Sequence, residues 1–79
     1  MNKISIIGMG YIGLPTALLL AGSKNKVICV DKNKEKISDL KSGKVFLKEK
    51  SIQSLFKKKK KYLDFSNTIK TSNIYIICV

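Results

Sequence analysis

Apolar positions along this chain follow two spacings, and the change from one to the other divides it into strands and helices. Lys3 to Ile7, Lys26 to Val30 and Ile74 to Val79 are nearly unbroken apolar runs. Short runs of this kind fit parallel strands buried on both faces. Tyr11 to Gly22 has helical spacing instead, with Leu14, Leu18 and Ala21 on one face. Pro15 falls at the end of the first turn, where its missing N–H costs at most about one hydrogen bond. Gly22 is placed to stop that helix. Ser23 to Asn25 form a polar turn. Asn33 can cap a second helix over Lys34 to Ser42, with Ile37 and Leu40 facing inward and Gly43 following it. Val45 to Lys50 reads as irregular or extended. Ser51 is placed to cap a third helix, where Ile52, Leu55 and Phe56 recur at i, i+3 and i+4 and Tyr62 or Leu63 follow. Leu63 to Ser66 reads as a short third strand, Thr68 to Asn73 as a brief connection, and Ile74 to Val79 as a fourth strand.

The order β-α-β-α-α-β-β predicts an α/β fold, with a parallel sheet of about four strands, right-handed crossovers and flanking helices. Its first turn carries the candidate chemistry. Ile4 to Ile7 runs straight into Gly8-Met9-Gly10-Tyr11-Ile12-Gly13, a G-x-G-x-x-G pattern. Gly8 permits a tight turn off the strand. Gly10 lets the main chain approach a pyrophosphate, and Gly13 lets the helix pack closely on the strand. The helix then begins beneath the phosphates, offering free N–H groups and the positive end of its dipole. The second strand ends on Asp31, eighteen positions after Gly13. That is near the spacing of about 20 expected for an acid that accepts from ribose hydroxyls. A lone glycine pattern is weak evidence. Here strand, turn, helix, second strand and terminal acid occur in the required order, which predicts a Rossmann-type dinucleotide site. An ordinary strand–turn–helix leaves Asp31 and two of the glycines without a role.

Length and charge change this picture little. At 79 residues the chain is at most one small domain. No apolar stretch reaches the ~18 residues needed to span a bilayer, and no secretion signal is evident at the N-terminus. The expectation is a cytoplasmic protein without membrane partners. Cys29 and Cys78 sit in apolar runs, outside any Cys/His cluster, in a chain without histidine. They read as reduced core thiols, and no metal site is expected. The net charge of +11 invites a second hypothesis, a small lysine-rich nucleic-acid-binding module. Against it, all 16 basic residues are lysine, whereas specific readers favour arginine. The run Lys57 to Lys61 has no interleaved aromatics and overlaps a helix C-terminus, where cations complement the dipole. A third hypothesis is a non-functional remnant of a truncated gene.

Lys3 to Pro15, with G-M-G-Y-I-G-L-P, resembles the N-terminal NAD-binding domain of the UDP-glucose/GDP-mannose dehydrogenase family. The likeness continues through Val27 to Asp31, Asn33 to Lys36 and Leu40 to Gly43, and returns at Ile74 to Val79. Tyr11 to Ala17 is most similar to UDP-N-acetylmannosamine dehydrogenases and related N-acetylhexosamine enzymes. The resemblance covers essentially all of the chain but about a third of a family member. It implies that residues 1–79 are the N-terminal part of the NAD-binding domain, with catalytic and substrate domains lying outside them.

Such enzymes oxidise the C6 alcohol of a nucleotide sugar to a carboxylate in two hydride transfers to two NAD, and are often homo-oligomers. The resemblance implies a pyrophosphate turn of Gly8, Gly10 and Gly13, with the main-chain amides of Tyr11 and Ile12 facing the phosphates. It implies that Asp31 holds the adenosine ribose and that Lys36 stands near it. Asp31 argues for NAD over NADP, because a carboxylate repels a 2′-phosphate. No catalytic residue carries over, since neither Cys29 nor Cys78 matches the family's catalytic cysteine. The chain departs from the family pattern at Lys50-Ser51, after Glu49. It is also about one helical turn short between Phe65 and Ile74, which predicts a missing helix and a loosened sheet edge.

Overall fold

A computed structural model describes residues 1–78. Strand β1 (Asn2–Ile7) leads through the glycine turn to helix α1 (Gly13–Leu20). Strand β2 (Asn25–Val30) leads to α2 (Lys34–Lys41) and, after a loop, to α3 (Lys50–Lys59). A 3-10 turn, Lys60–Tyr62, delivers β3 (Leu63–Ser66), and a connection without helix leads to β4 (Ile74–Ile77). Of the expected fourth strand, Ile74 to Ile77 is strand and Cys78 is not. Cys78 still donates its N–H to Ile7 at 2.8 Å, and Val79 lies outside the described residues.

The strands form one parallel sheet in the order β3-β2-β1-β4. This is the first four strands of the doubly wound order, in which the direction of winding reverses between β1 and β4. Ile4 and Ile6 of β1 and Val27 and Cys29 of β2 point to one face. There they join Leu14, Leu18, Ile37, Leu40 and Phe56 from the three helices in a single buried core. On the opposite face, among the described residues, the 67–73 connection meets the sheet at Ser5. Fully buried Ser5 is satisfied there by the Ser72 hydroxyl at 2.6 Å and the Lys70 carbonyl at 3.4 Å. The missing crossover helix leaves β4 exposed, with Ile77 at 72% of its full accessibility.

Several element ends differ from the sequence reading, each for a local reason. Helix α1 begins at Gly13 rather than Tyr11, because residues 10–12 are spent on the turn. It stops before Gly22, which has no positive φ. Ala21 is extended instead (φ −66°, ψ 138°), and Gly22 and Asn25 exchange backbone hydrogen bonds at 3.1 Å. The carbonyls at the helix end are satisfied from elsewhere: Asn25 Nδ2 donates to Leu20, and the Lys59 ammonium to Ala21. Asn33 does cap α2, its Oδ1 accepting from the Lys36 amide at 3.0 Å, and Gly43 follows with φ 90°. Ser51 does not cap α3. Glu49 occupies that position without a side-chain bond.

Candidate functional site

Gly8 leaves β1 with φ +105°, a conformation that side chains disfavour, and a Cβ there would lie 1.9 Å from the Cys78 carbonyl oxygen. Its amide donates to Val30 at 2.7 Å, so the turn starts anchored between β2 and β4. Met9 is wholly buried and pins the turn to the core. At Gly13 a Cβ would stand 1.6 Å from the Gly8 carbonyl oxygen, so the helix starts as close to the strand end as glycine allows. Gly10 differs from both. Nothing lies within 4 Å of a Cβ built on it. The space it leaves is open and faces outward, and crowding by this chain does not account for a glycine there.

Beyond the turn, Tyr11 and Ile12 are 79% and 64% exposed. Among the described residues, neither amide has an acceptor, whereas the Leu14 amide, two residues on, donates to the Gly10 carbonyl at 3.2 Å. Exposed unpaired amides at a helix start are the chemistry of an anion cradle.

Asp31 closes the arrangement. It follows β2 directly, and its amide bonds Ser66 at the end of β3. Its carboxylate accepts the Met9 amide of the glycine turn on Oδ2 and the Asn33 amide on Oδ1, both at 2.9 Å. Partial burial alone would raise its pKa. The two amides, and then the charges of Lys36 and Lys32, outweigh that and hold the carboxyl below its usual value. Asp31 is therefore an anion at neutral pH. A crevice of about 420 Å³ opens beside it, lined by Gly8, Asp31 and Lys32 and by apolar Ile7, Val30, Ile69 and Ile77. It sits at the carboxyl ends of the strands, where ligands of such sheets bind.

Lys36 stands on the first turn of α2, its ammonium 5.3 Å from the centroid of Phe46. Glu49 is exposed and makes no capping bond. Cys29 is fully buried, and burial, with Asp64 nearby, pushes its thiol up to about 12. Among the described residues no three His, Cys, Asp or Glu side chains gather as a metal site would require, and no helix is long and apolar enough to cross a membrane.

Sequence reasoning missed two side chains that shape this region and a third at the far end of α1. Phe46 was read as part of an irregular stretch, yet it touches both Lys36 and Tyr11. Gln53 donates to the carbonyls of Val45 and Leu47 and so folds the loop beside it. Lys59, in the run Lys57 to Lys61, donates to the Ala21 carbonyl of another helix's end, which its place at a helix C-terminus did not foretell. Its neighbours are also occupied, Lys60 over Phe56 and Lys61 over Tyr62.

Comparison with known proteins agrees with this fold. The model of the UDP-glucose/GDP-mannose dehydrogenase family, NAD binding domain, matches residues 2–79. A UDP-N-acetyl-D-mannosamine dehydrogenase of Methanococcus aeolicus is 38% identical, over 99% of this chain and 18% of its own length. The UDP-glucose 6-dehydrogenase of Bacillus subtilis is 36% identical over 100% of this chain and 18% of its own. Among solved structures, the UDP-N-acetyl-mannosamine dehydrogenase of Staphylococcus aureus superposes with a TM-score of 0.91 at 32% identity, covering 99% of this chain and 19% of that one. The chain thus spans about a fifth of the length of these relatives, less than the third expected from the resemblance. With its glycine turn, strand order and full-length match together, this chain belongs to the UDP-glucose/GDP-mannose dehydrogenase family, as an NAD-binding domain.

Proposed function

We propose that this chain binds NAD at the carboxyl end of its sheet, as the cofactor-binding part of a nucleotide-sugar dehydrogenase. The observation that carries the residue assignment is the contact between the Met9 amide and the Asp31 carboxylate, which sets a ribose acceptor at the rim of the glycine turn. Gly8 and Gly13 shape the turn, and Gly10 leaves room for a diphosphate. The free amides of Tyr11 and Ile12 donate to it, and the dipole of α1 adds to the attraction. Each Asp31 oxygen accepts one amide and keeps acceptor capacity for a ribose hydroxyl. The crevice over Ile7, Val30, Ile69 and Ile77 offers an apolar surface for a base. Lys36 adds a positive charge to the ribose side, and anionic Asp31 selects NAD over a 2′-phosphorylated cofactor.

Bound NAD supplies a hydride acceptor, and in this family the donor is the C6 alcohol of a nucleotide sugar. No residue of this chain is assigned to that transfer. Cys29 is unsuited to it, since a buried thiol with a pKa of about 12 is not a nucleophile at neutral pH. Residues 1–79 correspond to the N-terminal part of the cofactor domain, and a nucleotide sugar is a partner only of a protein that carries the remaining domains. The free thiols of Cys29 and Cys78 suit a reducing, cytoplasmic setting.

The test is calorimetric titration of NAD into the wild type and Asp31→Ala. The variant should bind about tenfold more weakly, which corresponds to ~1.4 kcal/mol. Equal affinities would overturn the ribose assignment.

A further inference from the structure

Three side chains from separate parts of the chain meet beside the glycine turn. The Lys36 ammonium lies over Phe46, and the Phe46 ring meets Tyr11 edge to face, with centroids 5.6 Å apart and planes at 83°. Of the three, Phe46 is the fixed one. It is half-buried against the core, and its neighbours Val45 and Leu47 are buried. The carbonyls of those neighbours are held by Gln53 Nε2 at 3.1 and 2.6 Å, which ties the loop to α3. Lys36 has a long flexible stem, so the ring positions the lysine rather than the reverse.

The arrangement bears on Asp31. Its oxygens already accept the Met9 and Asn33 amides, and an ammonium in direct contact would take up the capacity that remains. Lys36 makes no such contact. Among the described residues the one ion pair is Lys26 with Asp64, at 3.5 Å. Yet the Lys36 charge is near enough to help keep the Asp31 carboxyl low. A lysine held on an aromatic face satisfies both conditions: near, but not paired.

We propose that Phe46 is a positioning residue of the cofactor site. Its ring holds the Lys36 ammonium beside Asp31 without letting it close on the carboxylate, so the charge is presented to an incoming dinucleotide while Asp31 stays open to ribose. This rests on the NAD-site reading above and adds to it a residue on the α2–α3 loop. The edge-to-face contact of the ring with Tyr11 joins the loop to the phosphate turn.

Two measurements on the full chain test it. The first needs no cofactor. In the NMR spectrum the ε-methylene protons of Lys36 should be displaced upfield by the Phe46 ring, and the displacement should vanish in Phe46→Leu. Its absence from the wild type overturns the proposal. The second is NAD titration. Phe46→Leu should weaken binding by about two- to fivefold, the range of one exposed cation–π contact. Phe46→Tyr, which keeps a ring, should match the wild type, and Phe46→Leu should add nothing in a Lys36→Met background. Unchanged affinity in Phe46→Leu, or the same loss with and without Lys36, overturns the proposal. Should Phe46→Leu fail to fold by circular dichroism, Lys36→Met decides, because wild-type affinity there also overturns it. A displaced Lys36 signal in a wild type that binds no NAD would overturn the NAD-site reading, and the proposed role with it.

Discussion

The amide of Met9 donates to Oδ2 of Asp31 at 2.9 Å, joining the glycine turn to the end of the neighbouring strand. One carboxylate therefore braces the turn and stands where a ribose would be gripped. The same oxygens serve the fold and the proposed ligand, so the two roles should fail together. Asp31→Asn retains the shape but loses the charge, and its Oδ1 remains an acceptor for only one of the two amides. The expected result is weaker NAD binding, by about tenfold, and a small loss of stability, about 1–2 kcal/mol for a charged acceptor. Calorimetry and urea denaturation on the same preparation measure both.

The Asp31 contribution should also have a defined pH window. Its folded-state pKa lies below the ordinary 3.8. A depressed carboxyl stabilises the folded chain above its unfolded value, and that stability is lost as pH falls through the lower folded value. Acid titration of wild type and Asp31→Asn should thus show a stability gap near neutral pH that closes at the acid end. A gap of constant size from pH 7 to the acid transition would show that the amide contacts do not depend on the charge.

The three glycines should separate by experiment because their surroundings differ. A Cβ at Gly8 or Gly13 would meet backbone oxygen at 1.9 or 1.6 Å, while one at Gly10 meets nothing within 4 Å. Gly13→Ala should destabilise by on the order of 3 kcal/mol or more, from overpacking against backbone that cannot yield. Gly10→Val should melt within about 1 kcal/mol of the wild type and yet lose NAD binding. Thermal melts by circular dichroism, with and without NAD, distinguish the cases. A Gly10→Val chain that still binds NAD would remove the diphosphate from that turn.

This contrast bears on how much of the molecule was legible beforehand. The strands were readable as short apolar runs, and in the fold their alternate positions, Ile4 and Ile6 of β1 and Val27 and Cys29 of β2, fill the core on the helical face. The Asp31 position was readable because the second strand has a fixed length between turn and acid. What escaped was contact between segments far apart in sequence. Gly22 looked like a helix stop, but Asn25 and Lys59 do that work from outside the helix. Phe46 lies in a stretch without periodicity, so nothing local marked it as a partner of Lys36 or Tyr11. The missing crossover helix was anticipated from a shortfall in length, and residues 67–73 do cross without one.

Cys29 offers a check on the core that is independent of any ligand. Burial, with Asp64 adding to it, raises its thiol from 9.0 to about 12. A raised thiol contributes stability fully below its unfolded pKa, and the contribution is lost as pH rises from 9.0 toward 12. At pH 8 the native chain should leave Cys29 unmodified by iodoacetamide, and unfolding in urea should expose it, as peptide mass mapping would show. Rapid native labelling of Cys29 would mean that β2 opens on its own.

The five-lysine run makes the last prediction, because its members differ in what they touch. Lys59 donates to the carbonyl of Ala21 at the end of α1, adding a positive charge where the helix dipole is negative. Lys57 and Lys58 are exposed and make no such bond. If the run served only to attract polyanions, all three substitutions to alanine would weaken salt-sensitive DNA binding alike and leave the melt unchanged. If it serves the fold, Lys59→Ala should cost about 1 kcal/mol while Lys57→Ala and Lys58→Ala stay within about 0.5. Urea denaturation of the three variants at low and moderate salt decides between them. The α1–α3 contact is then the reason for a cation at position 59, since α1 ends in Leu20 and Ala21 and supplies no polar side chain of its own to meet those carbonyls.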